Sequence, residues 1–301
     1  VSGPGALAAL QWISAADVDV PVGHVVYTPW LNARGTYEAD LTVTRDGPET
    51  FWVVSSSATT VRDLDWLRRQ GGVEASDETD AYGVLGVMGP QAPALLGWSD
   101  FPFATSETRS VAGVEVRATR MTYVGELGWE LTVPVDRALE VYDALSAGGA
   151  VDAGYNALES LRLEKGYRAF PRDLSPDYTP LEAGLMFATA LKGDKPFLGR
   201  TALEALRDRW AEGGGRRRLV SFVLDDPEPM LWGGELLLRD GEPAGQVTSA
   251  AWGATVGSSV GLAYLRSDGP ITAAALADGR FEVDVAGGRG AARLSLKAPL
   301  A

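Results

Sequence analysis

An α+β fold is predicted for this chain: two duplicated antiparallel α/β lobes, followed by a small C-terminal β-barrel. Three observations predict it. A strand, a Gly-Pro turn and a helix start occur twice, as Val1-Ser2-Gly3-Pro4-Gly5-Ala6 and as Val87-Met88-Gly89-Pro90-Gln91-Ala92. A Thr-Arg pair followed by a strand and a helix also occurs twice, from Thr44-Arg45 and from Thr119-Arg120. Beyond Gly213-Gly214-Gly215 the chain changes to short apolar strands broken by turn residues.

In the first lobe, proline at a helix start is tolerated because its missing N–H would be unpaired there anyway. Thr44-Arg45 leads to a strand at 51–54 and a helix at 59–70, in which Val61, Leu64 and Leu67 keep helical spacing. In the second lobe, Thr119-Arg120 leads to a strand at 128–133 and a helix at 136–145, with Leu139, Tyr142 and Leu145 at the same spacing. Repetition of one supersecondary unit is read as a duplication. Apolar and polar residues alternate in the strands, as in half-buried antiparallel sheet. A further helix is predicted over 155–170, with Ala157, Leu158, Leu161 and Glu164 or Lys165 in its period and Pro171 ending it. Pro176 and Pro180 keep the next stretch irregular. Strands are predicted at 219–224, 235–238, 246–249, 261–265 and 281–285, with a hairpin at Asp240-Gly241. The expected domains are 1–205, the two lobes, and 216–301, the barrel. The opening residues read as the end of a strand turning into a helix, so the chain is expected to be a piece of something longer.

Composition removes several function classes. The 301 residues, 46% hydrophobic and 22% charged, can bury a sizeable core. The absence of cysteine excludes disulfides, thiolate metal sites and cysteine nucleophiles. A net charge of −13 repels phosphate backbones, so no nucleic-acid partner is expected. Arg216-Arg217-Arg218 reads as a solvated linker. No apolar run is long enough for a bilayer and no signal peptide is seen, so a cytoplasmic chain with no membrane partner is expected. His24 is the only histidine and reads as a structural imidazole at a strand start, and no metal site is expected. No Gly-rich phosphate loop of standard spacing is present. Carboxylates, tyrosines and tryptophans remain, a set that suits a flat, polar, heteroaromatic ligand. A carboxylate accepts two parallel hydrogen bonds from an amino-pyrimidinone edge, and aromatic rings pack on its faces.

Taken alone, each candidate residue has a plainer reading. Glu38, Asp40, Thr42 and Thr44 alternate onto one face, which pattern alone makes wet. Glu164 can pair with Arg162, Lys165 or Arg168 on a solvated helix face. Tyr27 and Tyr123 read as core tyrosines with satisfied hydroxyls, and Glu126 as part of a tight turn.

Three longer segments carry a resemblance. They are the run from Tyr27-Thr28-Pro29-Trp30 through Glu38-Ala39-Asp40 to Thr44-Arg45, the turn Tyr123-Val124-Gly125-Glu126-Leu127-Gly128-Trp129-Glu130, and the run from Leu161-Arg162-Leu163-Glu164-Lys165-Gly166-Tyr167-Arg168 through Arg172-Asp173 to Thr179-Pro180-Leu181-Glu182-Ala183-Gly184-Leu185. With Gly245-Gln246-Val247-Thr248-Ser249 and Val260-Gly261-Leu262-Ala263-Tyr264-Leu265, they resemble the aminomethyltransferase family, the T-protein of glycine cleavage. Within it they resemble the folate-binding C-terminal halves of dimethylglycine and sarcosine dehydrogenases and oxidases. The resemblance implies a tetrahydrofolate-dependent one-carbon transfer that takes a methylene or methyl group from an N-methyl amine and gives 5,10-methylenetetrahydrofolate. It implies Asp40 as the catalytic aspartate, Glu164 as the grip on the pteridine edge, Tyr27 and Tyr123 as pocket tyrosines, and Lys192 near the folate's acidic end. The implied partners are folate, a small methylated amine or its iminium, and a flavin oxidoreductase domain. FAD is expected only on a separate domain or chain, since these residues hold no flavin fingerprint. A stand-alone aminomethyltransferase, a folate-dependent demethylase and a non-catalytic folate-binding module are the alternatives. The Thr-Pro-Leu-Glu-Ala-Gly-Leu run favours the dehydrogenase type. Three departures stand out. The family has a strand and a helix before the residue matching Val1, a pocket tyrosine beyond the end of this chain, and more often glycine where Pro171 follows Phe170.

Overall fold

The computed structural model describes residues 1–300. They pack as two compact units, the first made of Val1–Leu31, Ala39–Ala153 and Ala188–Leu198, the second of Asn32–Glu38, Gly154–Phe187 and Gly199 onward.

The first unit holds both lobes. The opening lobe has helix α1 (Ala6–Ile13), the antiparallel strands β1 (Val25–Leu31), β2 (Tyr37–Arg45) and β3 (Phe51–Val54) in the order β1-β2-β3, and helix α2 (Thr60–Gly71). Along β2, Ala39, Leu41 and Val43 are buried while Asp40 and Thr42 between them are half-buried. The buried set packs with Leu10 and Ile13 of α1 and Leu67 of α2. The next lobe has strand β4 (Tyr82–Met88), helix α3 (Ala92–Leu96), β5 (Ser106–Val111), β6 (Val114–Thr119), β7 (Gly128–Pro134) and helix α4 (Ala138–Ala147), with sheet order β4-β7-β6-β5. Its core is Val116, Ala118, Trp129, Leu131 and Val133 beneath Val141 and Leu145. Trp98 stands edge-on to Trp129 at 5.4 Å. The two Gly-Pro turns are alike in hydrogen bonding. The Ala6 N–H donates to the Gly3 carbonyl at 3.0 Å, and the Ala92 N–H to that of Gly89 at 3.1 Å.

Two expected helix faces are corrected. Val61 is 82% exposed, so α2 buries Leu67 without it. In α4 the buried residues are Val141 and Leu145, while Leu139 and Tyr142 face water. The strip that packs is Ala138, Val141 and Leu145, spaced three and four, which the larger side chains of Leu139 and Tyr142 obscured.

In the second unit, helix α5 (Tyr155–Glu164) ends six residues before the expected 170. Gly166, at φ +65°, takes the left-handed conformation that closes a helix, and the Tyr167 N–H returns to the Arg162 carbonyl at 2.8 Å. Pro171 therefore comes too late to be the stop. Helix α6 (Arg200–Arg209) precedes the barrel strands β8 (Arg217–Leu224), β9 (Leu236–Arg239), β10 (Glu242–Gly253) and β11 (Ser258–Arg266), then helix α7 (Ala273–Asp278), β12 (Phe281–Val285) and β13 (Gly288–Ser295). The barrel closes in the order β10-β11-β8-β13-β12-β9. At Asp240-Gly241 both φ values are positive, 53° and 87°, as a tight two-residue hairpin turn requires. Arg217 and Arg218 are not linker residues but open β8. Arg217 bonds Glu182 at 2.8 Å and lies over Tyr178, and Arg218 lies over Trp210.

Strand β10 passes so close to β11 that Gly245 has no room for a side chain: a Cβ there would fall on the Tyr264 carbonyl oxygen. Gly245→Ala is expected to lower stability by about 1–3 kcal/mol, the usual cost of overpacking. Denaturant unfolding followed by circular dichroism measures it, and an unchanged midpoint would contradict the packing described.

Candidate functional site

Asp40 lies on the face of β2 opposite the core residues Ala39 and Leu41, and it is half-buried, not wet. The Tyr27 hydroxyl, on the neighbouring strand β1, donates to Asp40 Oδ1 at 2.6 Å. A charge-assisted bond of this length fixes the carboxylate's orientation. The structure thus brings Tyr27 and Asp40 together. Tyr123 is half-buried in the turn before β7, Lys192 is an exposed residue of the same unit, and His24 is exposed just ahead of β1.

The face carrying Asp40 is covered at its Thr44 end. Thr44 pairs with Trp52 across β2 and β3. Trp52 meets Tyr82 edge-on at 5.3 Å and lies 4.9 Å beneath the Arg117 guanidinium. Arg117 also grips Asp46 through both nitrogens, at 2.7 and 2.8 Å. The polar face of the first sheet therefore looks onto the face of the second that carries Arg117, Thr132 and, by alternation along β7, Glu130. Glu130 sits between Gly86 and Thr119, and burial alone raises its carboxyl above the ordinary range. Glu130 has no role among the residues expected from sequence, although a carboxylate alternating with Trp129, Leu131 and Val133 is the signal for it.

Glu164 belongs to the second unit and is 1% exposed. It is not ion-paired on a solvated face. Its Oε1 accepts the N–H groups of Thr255 at 2.7 Å and Val256 at 2.9 Å, in the turn between β10 and β11. Ser160, one turn back on α5, accepts the Ala254 N–H at 3.1 Å. Gly253 makes this closeness possible, because a Cβ there would stand 3.0 Å from Glu164 Oε1. Oε1 has both lone pairs engaged, so Oε2 is the oxygen left for a donor.

Around Glu164 lies a buried charge network. Arg162 and Asp173 are both fully buried. Arg162 Nη1 donates to Asp173 Oδ2 at 2.8 Å and to the Tyr167 carbonyl at 2.9 Å, while Nη2 donates to Glu159 at 2.6 Å. Arg172 closes on the other oxygen of Glu159. Asp173 Oδ2 also accepts the Ala169 N–H at 2.9 Å, and Oδ1 accepts the Thr248 hydroxyl. Asp173, Thr248 and the amides of Thr255 and Val256 are not among the site residues expected from sequence. Among the described residues, no group of three or more His, Cys, Asp or Glu side chains is arranged to hold a metal ion.

A pair of strand-helix lobes followed by a six-stranded barrel, with an anchored glutamate at the end of α5, defines a recognisable class. Residues 1–193 match the family described as the GCVT N-terminal domain, and residues 217–300 match the glycine cleavage T-protein C-terminal barrel domain. The chain belongs to this aminomethyltransferase, or glycine cleavage T-protein, family. It is similar to mitochondrial sarcosine dehydrogenase of Mus musculus, 37% identical over 99% of this chain and 35% of that protein. It is also similar to the aminomethyltransferase of Halothermothrix orenii, 33% identical over 89% of this chain and 77% of that protein. Among solved structures it resembles the glycine cleavage system aminomethyltransferase T from Bartonella henselae, at TM-score 0.84 and 26% identity over 100% of this chain and 82% of that one. These relatives are enzymes. The chain spans about a third of the length of the dehydrogenase it matches.

The raised Glu130 carboxyl has a consequence for stability. Folding favours its acid form, so the charged form opposes folding once pH rises above the unfolded value of 4.5. Glu130→Gln is expected to raise the melting temperature at pH 7, and the gain is expected to vanish as pH falls below 4.5. Thermal melts across that range decide it, and a loss of stability at pH 7 would mean Glu130 is held by a charged partner.

Proposed function

We propose that this chain passes a one-carbon unit to tetrahydrofolate from an N-methyl amine of the dimethylglycine or sarcosine type. The observation that carries the reading is Glu164. It is a buried carboxylate with one oxygen fixed by two amides and the other left to accept, within the segment that resembles the folate grip. A fixed acceptor of this kind suits the N–H donors of an amino-pyrimidinone ring. Tetrahydrofolate, when bound, supplies the nitrogens that take up the carbon as 5,10-methylenetetrahydrofolate.

The chain's own residues then have separate tasks. Glu164 orients the ligand and carries no part of the chemistry. Asp40 accepts a proton, its carboxylate aimed by the Tyr27 hydroxyl. Tyr123 contributes a wall, and Lys192, exposed and cationic, meets the ligand's acidic end. Oxidation of the amine belongs to a flavin domain outside these residues. The dehydrogenase likeness and the Thr-Pro-Leu-Glu-Ala-Gly-Leu run support that arrangement. A second reading, a stand-alone aminomethyltransferase, is favoured by the 77% and 82% of the aminomethyltransferase chains that this chain covers.

Calorimetric titration with folinic acid is expected to show binding to the unaltered chain. Glu164→Ala is expected to abolish it. Asp40→Asn is expected to bind folinic acid as before while one-carbon transfer in the parent enzyme falls about 10²–10⁴-fold, the usual worth of a general base. Absence of heat and of thermal shift at millimolar folinic acid would end the proposal. Equal loss of binding and turnover in Asp40→Asn would make that residue a binding group.

A further inference from the structure

We propose that Asp173 is a positioning residue that sets where Glu164 is held, by pinning a β-bulge at Thr248. The proposal rests on the reading of Glu164 as the ligand's anchor. The bulge is visible in the register of β10 against β11. Gln246 faces Tyr264, Val247 faces Ala263 and Ser249 faces Leu262, so Thr248 has no partner opposite. A bulge re-aims the extra side chain and shifts everything beyond it on its strand by one residue. Here the extra side chain is aimed at Asp173. The Thr248 hydroxyl reaches Asp173 Oδ1 and lies 3.2 Å from the Leu262 carbonyl. What lies beyond the bulge on β10 is the turn whose amides hold Glu164 Oε1.

The hairpin is thus gripped at two heights by one stretch of chain. At its turn, Ser160 and Glu164 of α5 take the amides of Ala254, Thr255 and Val256. In mid-strand, the Asp173 side chain takes Thr248 on β10, and the Asp173 carbonyl accepts the Tyr264 hydroxyl of β11 at 3.0 Å. Arg162 ties the two grips together. It lies on α5 two residues before Glu164, and it donates to the same Asp173 carboxylate at 2.8 Å. The ring Glu164–turn–Thr248–Asp173–Arg162–α5 is closed, with Glu164, Arg162 and Asp173 buried and Thr248 half-buried. Without the hydroxyl at 248, nothing in this ring holds the bulge in phase, and the turn amides are free to shift relative to Glu164. Asp173 is not assigned any contact with the ligand.

Thr248→Val removes the hydroxyl and keeps the shape, and Thr248→Ser keeps the hydroxyl. Asp173→Asn removes the charge. Two measurements are made on each full chain: the Kd for folinic acid by calorimetry, and amide hydrogen exchange of Thr255 and Val256 without ligand. Thr248→Val is expected to weaken folinic acid about tenfold, the scale of one hydrogen bond to a charged group. It is also expected to speed exchange at those two amides, while Thr248→Ser matches the unaltered chain in both. Asp173→Asn is expected to do the same or more, and if it fails to fold, Thr248→Val carries the test. A lowered melting temperature with unchanged Kd and unchanged exchange at 255 and 256 would mean a merely structural role and overturns the proposal. Should Glu164→Ala leave the Kd unaltered, the folate reading of Glu164 fails on its own. The exchange arm, which needs no ligand, then still decides whether Asp173 positions Glu164.

Discussion

The fully buried guanidinium of Arg162 is the constraint on which the second unit depends. Taking such an ion out of water is expensive, and the cost is met only when every donor finds a partner. Here the partners are Glu159, Asp173 and the Tyr167 carbonyl, and each fixes a different piece of backbone. Glu159 and Arg172 extend the pattern so that positive and negative groups alternate and the cluster is neutral as a whole. Loss of one partner of such a pair commonly costs about 3–5 kcal/mol, because the other is left charged and buried. That sensitivity gives the end of α5 one conformation, and Glu164 is at that end.

The first unit reaches a similar result with less charge. Alternation in β2 puts apolar residues on α1 and α2 and leaves Asp40 on the other face. Tyr82 and Arg117 of the second sheet then close on Trp52 at the Thr44 end of that face, and the two-pronged Arg117–Asp46 contact fixes the approach. Asp40 is left half-buried and bonded to a phenol. Each unit therefore presents a carboxylate that accepts from neutral donors, the Tyr27 phenol for Asp40 and two amides for Glu164.

Much of this was legible in the sequence where the signal is local. The two Gly-Pro turns, the strand at Phe51–Val54 and the Asp240-Gly241 hairpin follow from residues adjacent in the chain. The family was legible because its motifs are long and occur in order. What escaped depends on partners far apart in sequence. Glu164 is bonded to residues 91 and 92 positions away, and Asp173 to one 75 positions away. No periodicity within α5 announces either. The end of α5 was misplaced because Gly166 acts before the more conspicuous Pro171, and strand β13 was missed because glycine, arginine and alanine hide its alternation. The Arg216-Arg217-Arg218 run looked solvated since Glu182, Tyr178 and Trp210 lie elsewhere in the chain.

The proposed reading of a reduced folate by Glu164 uses the free oxygen of a carboxylate fixed from within. A crystal structure of the chain grown with folinic acid tests it most directly. The amino-pyrimidinone edge is expected within hydrogen-bond distance of Glu164 Oε2, with Oε1 still on the amides of Thr255 and Val256. Folinic acid bound elsewhere, or bound with Glu164 Oε2 facing no donor, would contradict it.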